Sequence, residues 1–303
     1  MKKLRRREFL QTATALLAAS CADYVFASKK NAPYLSFSTL GCPDWTFRQI
    51  VDFAEQHHYQ GIEVRGILRQ LDLTQCAEFN KQNIAATLRL MEDKNLRFVD
   101  LGSSATLHFP ESIERKKNLD EAKRFIDLAQ KLKCPYIRVF PNNFPKDQEK
   151  NATMELIANG LLELGNYAKG SNVIVLIESH GDLVVIEDLE KIMKAAEHKN
   201  VGMIWDVTNM WTKTKEAPSA VFNKLKKYIR HTHIKDAKIV DGKIEYVLLG
   251  QGEVPIFEAI DVLFNDGYSG YYCFEWEKLW HPELEAPEIA IADYVQAMTK
   301  HFK

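Results

Sequence analysis

The stretch from Val173 to His180 constrains the fold more than any other. Five consecutive branched apolar residues, Val173 to Ile177, run directly into Glu178, Ser179 and His180. Four of the five are β-branched. A short continuous apolar run of this kind fits a strand covered on both faces, as in the parallel sheet of an α/β protein. A carboxylate at the end of such a strand must find solvent, a partner or a metal, because a lone charge in apolar surroundings costs too much. The same grammar returns at Val201–Asp206, His231–Asp236 and Tyr271–Glu277, each a β-prone run closing on a cation-binding side chain.

Periodicity places these runs in a larger count. Strands are predicted at 34–40, 61–65, 96–101, 135–140, 173–178, 201–206, 230–235 and 271–276. Helical spacing falls at 46–58, 77–95, around 119–129, 152–169, 186–198 and 218–228, then from Pro255 to about Phe264 and from about Pro287 onward. Eight strand–helix units in about 275 residues predict a (β/α)₈ barrel. A doubly wound sheet has fewer strands and a glycine-rich first turn, and no Gly-x-Gly-x-x-Gly is present. In such a barrel the chemistry sits at the carboxyl ends of the strands. Glu178, Asp206, His233 and Glu275 all fall there, on four adjacent strands spaced ~4.8 Å apart. Three converging carboxylates repel one another unless a cation neutralises them. Three oxygens and one imidazole suit Mn²⁺ first, with Mg²⁺, Co²⁺ or Zn²⁺ as alternatives.

Residues 1–27 follow another logic. Arg5-Arg6-Arg7 precedes Phe9-Leu10 and an apolar, small-residue run to Ser20, then Val25-Phe26-Ala27. The run is too short to span ~30 Å of hydrocarbon, so a removable export signal of the twin-arginine type is expected, leading to the periplasm. Cys21 is a weaker lipoprotein site. Residues 28–303 are then one barrel domain. Removing 1–27 takes away five basic and two acidic side chains, moving the formal charge from −1 to −4, which gives nucleic acid no foothold. Cys42, Cys76, Cys134 and Cys273 are scattered, without the pairing of a zinc site or a disulfide scaffold, and read as buried thiols.

Ile177-Glu-Ser-His180, Trp205-Asp-Val-Thr-Asn209, His231-Thr-His-Ile-Lys-Asp236, Leu249-Gly-Gln-Gly-Glu-Val254 and Phe274-Glu-Trp-Glu277, in this order, resemble the xylose isomerase-like sugar phosphate isomerase/epimerase superfamily. Gly61-Ile-Glu-Val-Arg65 extends the resemblance into the first half. It implies that Glu178, Asp206, His233 and Glu275 bind the metal. It also implies that Glu178 and Glu275 move a proton beside a sugar carbonyl, through a metal-stabilised enediolate. The family's usual histidine three residues after the aspartate is Asn209 here, which leaves that position without an assigned role.

Other residues carry two readings each. His180 could reach substrate or orient a ligand, and Lys235 could polarise a substrate oxygen. Glu63 and Arg65 could bind sugar hydroxyls or pair with each other. Arg138 can reach into the barrel and pair with an acid. Among five tryptophans, Trp45 and Trp280, in strand-end loops, are the candidates for a sugar surface. His108 reads as a surface residue, and Gly250-Gln-Gly252 as a turn or, less readily, a phosphate cradle. The expected function is an isomerase or epimerase acting on a small sugar. The alternatives are a lyase or hydratase on 3-keto-glycosides and a sugar-binding protein without turnover. A DNA-repair endonuclease of related fold would need more strand-end histidines and a basic face.

Overall fold

The computed structural model describes residues 32–110 and 112–303; the expected signal at 1–27, with Cys21, lies outside them. Among the described residues, eight parallel strands close into a barrel. They are β1 (Tyr34–Ser38), β2 (Gly61–Val64), β3 (Arg97–Thr106), β4 (Tyr136–Phe140), β5 (Ile174–Glu178), β6 (Val201–Asp206), β7 (Ile229–Ile234) and, after an inserted hairpin, β10 (Tyr271–Phe274). Helices α1 (Phe47–Gln56), α2 (Ile84–Asp93), α3 (Ile113–Leu132), α4 (Lys150–Tyr167), α5 (Ile186–Ala195), α6 (Val207–Thr214), α7 (Pro218–Leu225), α8 (Ile256–Asn265) and α9 (Pro287–His301) run between or after the strands. Parallel strands need a crossover to return the chain, and each helix buries an apolar stripe on the barrel's outside. Residues 173–177 behave as read: Val175, Leu176 and Ile177 are fully buried.

Local chemistry sets the element ends. Thr46 caps α1 through a reciprocal pair with Gln49, and Pro218 and Pro287 open α7 and α9. The helix predicted over 77–95 is shorter, beginning at Ile84. The Asn80 side chain accepts the backbone N–H of both Gln82 and Asn83, an arrangement that competes with helical bonding. Strand β3 continues past Gly102, where its predicted stop was placed. A Cβ at Gly102 would lie 2.9 Å from Arg65 Cδ and 3.2 Å from Arg138 Nη2, so the missing side chain makes room for two arginines.

Two elements lie outside the predicted pattern. Helix α6 starts directly at the end of β6, with Asp206 as its cap. An antiparallel hairpin, β8 (Asp236–Val240) and β9 (Lys243–Val247), is inserted after β7. Its turn is Asp241-Gly242, both with positive φ, the two-residue turn that suits the strand twist. Among the described residues no helix is long and apolar enough to cross a membrane. Cys42, Cys76, Cys134 and Cys273 are free and buried.

Candidate metal centre

The barrel's carboxyl end brings four side chains together from four neighbouring strands. Glu178 ends β5, Asp206 ends β6, His233 stands on β7 and Glu275 follows β10. Register explains the meeting: Asp206 pairs with His233 across β6 and β7, and His233 with Cys273, two residues before Glu275. One potential ligand atom from each lies within 4.8 Å of the others. His233 Nδ1 is 3.2 Å from Glu178 Oε1, 3.2 Å from Glu275 Oε1 and 3.9 Å from Asp206 Oδ2. Its other nitrogen, Nε2, is 2.9 Å from Glu63 Oε2. A carboxylate behind one ring nitrogen fixes the tautomer and turns the other nitrogen toward the cluster, as in metal sites generally.

Asp206 is held by its own helix. Its Oδ1 accepts the Asn209 N–H at 2.8 Å, and its backbone N–H donates to Ser179 Oγ at 2.9 Å. The Asn209 amide donates to the Ser179 carbonyl oxygen at 3.4 Å, so this residue steadies the loop and does not enter the cluster.

Two cations offset the acids. Arg138 Nη1 lies 3.1 Å from Glu178 Oε2 and 3.5 Å from Glu275 Oε1. Lys235 Nζ lies 2.7 Å from Asp206 Oδ2, 2.6 Å from Glu275 Oε2 and 2.7 Å from Glu277 Oε1. Both cations are buried. Electrostatics divides the three carboxylates. Burial alone would raise each of them. Glu178 is nevertheless held below the usual range by Arg138 and His233, and Glu275 by His233, Lys235 and Arg138. Asp206 is pushed up to about 7, because burial, Glu275 and Glu178 together outweigh Lys235. Burial opposes charge on His233, yet Glu275, Glu63 and Glu178 raise it well above an ordinary histidine.

Above the cluster is a cavity of ≈ 130 Å³ lined by Arg65, Arg138, His180, Lys235, Glu277 and Trp280, together with apolar Leu40 and Phe140. His180 packs its ring 4.8 Å from Phe140. Trp280 is half exposed at the rim. Larger hollows elsewhere do not compete. One of ≈ 320 Å³ lined by Tyr136, Arg230 and Tyr268 sits at the amino end of the strands, with Asp266 as its lone carboxylate.

Several expectations are corrected. Glu63 is fully buried beneath the cluster, 3.0 Å from His231 Nε2 and 2.9 Å from His233 Nε2, so it neither lines the cavity nor pairs with Arg65. Arg65 donates instead to Ser104 Oγ at 2.9 Å and to the Gly102 carbonyl oxygen. Trp45 packs on Phe53 of α1 at 4.9 Å, away from the cavity. His108 is buried, with Nδ1 3.1 Å from the Pro141 carbonyl oxygen. Gly250-Gln-Gly252, by contrast, is the plain turn expected, its Gly250 and Gly252 N–H groups both donating to Asp236 Oδ2 at 2.9 Å. Glu277 was not singled out by sequence, although it stands two residues after Glu275 in Phe274-Glu-Trp-Glu277.

Glu63, His231 and Cys273 form a second group close enough for a metal. Glu63 Oε2 accepts from both His231 and His233, which ties this group to the ring that faces the main cluster.

Comparison with known proteins agrees with this fold. The probable 3-DHS dehydratase AsbF from Bacillus anthracis superposes with a TM-score of 0.73 at 17% identity, covering 88% of this chain and 98% of its own. The IOLI protein with a bound zinc atom gives 0.75 at 16% identity, covering 88% and 97%. D-psicose 3-epimerase from Clostridium cellulolyticum H10, solved with D-tagatose, gives 0.70 at 14% identity, covering 89% and 98%. No curated protein matches the chain in sequence. A family model described as xylose isomerase-like TIM barrel matches residues 51–296, and this chain belongs to that family.

Proposed function

We propose that the protein is a divalent-metal-dependent enzyme that moves a proton beside the carbonyl of a small sugar, as an isomerase or epimerase. One observation carries the reading: Glu178, Asp206, His233 and Glu275 bring four ligand atoms within 4.8 Å of one another at the strand ends. Three carboxylates and one imidazole nitrogen, with Glu63 behind the imidazole, fit a hard or borderline divalent ion, Mn²⁺ before Mg²⁺, Co²⁺ or Zn²⁺. When bound, such an ion supplies Lewis-acid polarisation of a substrate oxygen.

The chain's own residues do the rest. Glu178 and Glu275 reach the cluster from strand ends separated by β6 and β7, so they flank a substrate carbon from two sides. Both are held below the usual carboxylate range, hence ionised at neutral pH and able to accept a proton. His180 and Arg65 offer donors to a substrate oxygen from the cavity wall, whereas the Lys235 ammonium is engaged by Asp206, Glu275 and Glu277. Trp280 at the rim provides a flat apolar face for a sugar ring.

A second reading shares the same first step. The AsbF structure is described as a dehydratase, and proton removal beside a carbonyl also begins an elimination, such as lyase or hydratase chemistry on 3-keto-glycosides. The deciding experiment incubates the protein with Mn²⁺ and a sugar panel in D₂O. Deuterium entering at a carbon beside a carbonyl supports proton transfer, and release of an aglycone or of water selects elimination. No exchange with any sugar at full metal loading would overturn both readings. Export by the twin-arginine route, on the strength of Arg5-Arg6-Arg7 before Phe9-Leu10, completes the proposal.

A further inference from the structure

The Lys235 ammonium sits where a metal ion has business. Asp206 Oδ1 is committed to the Asn209 N–H, so Oδ2 is the oxygen it can offer a cation. Lys235 Nζ holds that same Oδ2 at 2.7 Å, and Glu275 Oε2 at 2.6 Å. Lysine and metal therefore draw on the same two carboxylates. An ion on Asp206 Oδ2 would lie within ~5 Å of the ammonium, given metal–oxygen bonds of ~2 Å, and the two like charges repel in a buried site.

The ammonium has a third partner that the metal does not need. Glu277 Oε1 is 2.7 Å from Lys235 Nζ. Glu277 is outside the group of side chains whose ligand atoms come within 4.8 Å of one another. It stands at the cavity wall, more open to solvent than the fully buried acids below. A lysine head is a point charge on a flexible stem and can shift between neighbouring acceptors.

We propose that Lys235 is a built-in counter-cation of the metal centre, and that Glu277 is the seat that takes its ammonium when a divalent ion arrives. Lys235 holds the carboxylates together and competes with the ion for them. Glu277 relieves that competition, setting metal affinity without touching the metal. It is a positioning residue that acts through Lys235. The proposal rests on the metal reading above and adds to it a residue that tunes the site.

The test is a double-mutant cycle read by metal binding, independent of turnover. The full chain and its variants are stripped with chelator and titrated with MnCl₂ by calorimetry, with metal content measured by mass spectrometry. Lys235→Met should bind Mn²⁺ ~10-fold tighter and Glu277→Gln ~10-fold weaker, a coupling within the range of contacting charges. In the Lys235→Met background, Glu277→Gln should change affinity less than ~2-fold, because its intermediary is gone. Should Lys235→Met fail to fold by circular dichroism, Lys235→Gln replaces it with the same expectation. If Glu277→Gln weakens Mn²⁺ equally in both backgrounds, Glu277 acts by its own charge and the proposal falls. It falls too if removing the lysine's charge weakens Mn²⁺. A wild-type chain that binds no divalent ion overturns the metal reading itself, an outcome distinct from normal binding with a flat cycle.

Discussion

The two halves of the barrel divide the labour unequally. Strands β5 to β7 and β10 deliver the four potential ligands, each at the point where an apolar or β-prone run ends. Strands β2 to β4 deliver no ligand. They deliver Glu63 and Asp100, buried beneath the cluster, and Arg138 and Arg65 at the cavity wall. Glu63 accepts from His231 and His233, and Arg138 binds Glu178 and Glu275. Asp100 sits beside Glu63 in register, with neither carboxylate oxygen hydrogen-bonded to protein. Burial and the neighbouring Glu63 push it well above the usual carboxylate range. One half supplies the potential ligands, and the other surrounds them with the groups that set their charge and orientation.

The comparison can be tested from its strong side first. Glu178→Gln and Glu275→Gln should each slow exchange of the substrate proton by ~10²–10⁴, since an amide keeps the shape of a carboxylate but accepts no proton at neutral pH. Metal content must be measured in parallel, because loss of the ion also stops turnover. A variant that keeps its metal and exchanges at the wild-type rate clears that glutamate of the role of base, and His180 at the cavity wall takes its place.

Next in size is Arg138→Met, in the supporting half. It strands two buried carboxylates and should destabilise the metal-stripped fold by ~3–5 kcal/mol in urea. Added Mn²⁺ should restore part of the loss by replacing the missing positive charge. Equal stability to wild type would mean that Arg138 is a spectator.

Glu63→Gln should be milder, weakening Mn²⁺ binding ~10–100-fold through the loosened His233 ring while leaving the four ligands in place. An unchanged dissociation constant would break the claim that the first half orients the second.

The pH dependence sharpens the same contrast. A carboxyl raised to about 7 is protonated below that pH, so an ion must displace the Asp206 proton there. His233 is raised well above an ordinary histidine by its carboxylate neighbours, so it too must shed a proton from Nδ1 to bind the ion. Affinity for Mn²⁺ should therefore rise with pH, and below about 7 the slope should be steeper by the one Asp206 proton, an extra ~10-fold per unit. A slope that does not change near 7 removes Asp206 from the ligand set. The smallest effect concerns residues 1–27. Deleting them should leave melting temperature and metal affinity unchanged, and loss of the fold on deletion would refute the signal reading.

Legibility in the sequence follows the same division. Glu178, Asp206, His233 and Glu275 could be picked out because each closes a β-prone run, and in a parallel barrel that position has one meaning. Glu63 stands in an equally clear strand, yet its depth beneath the cluster is not readable there. Period-two alternation tells which residues share a face but not how deep a side chain lies once eight strands close. Trp45 was misplaced for a related reason, as a loop aromatic can turn outward onto its own helix. The β8–β9 hairpin carried a readable signal, Asp241-Gly242. Glu277 carried none beyond proximity to Glu275, because its significance depends on where the Lys235 head comes to rest.

By itself the sequence determined the beat of strands and helices, the barrel they add up to, and which side chains end the later strands. These depend on local pattern, and local pattern is written in neighbouring residues. Only the tertiary structure decided that Asp206 gives one oxygen to its own helix and the other to Lys235, that Arg138 spans Glu178 and Glu275, and that Glu63 lies behind His233. Those pairings join residues up to 170 positions apart. Their energies depend on distances of a few ångströms in a buried site, which exist only once the barrel has closed.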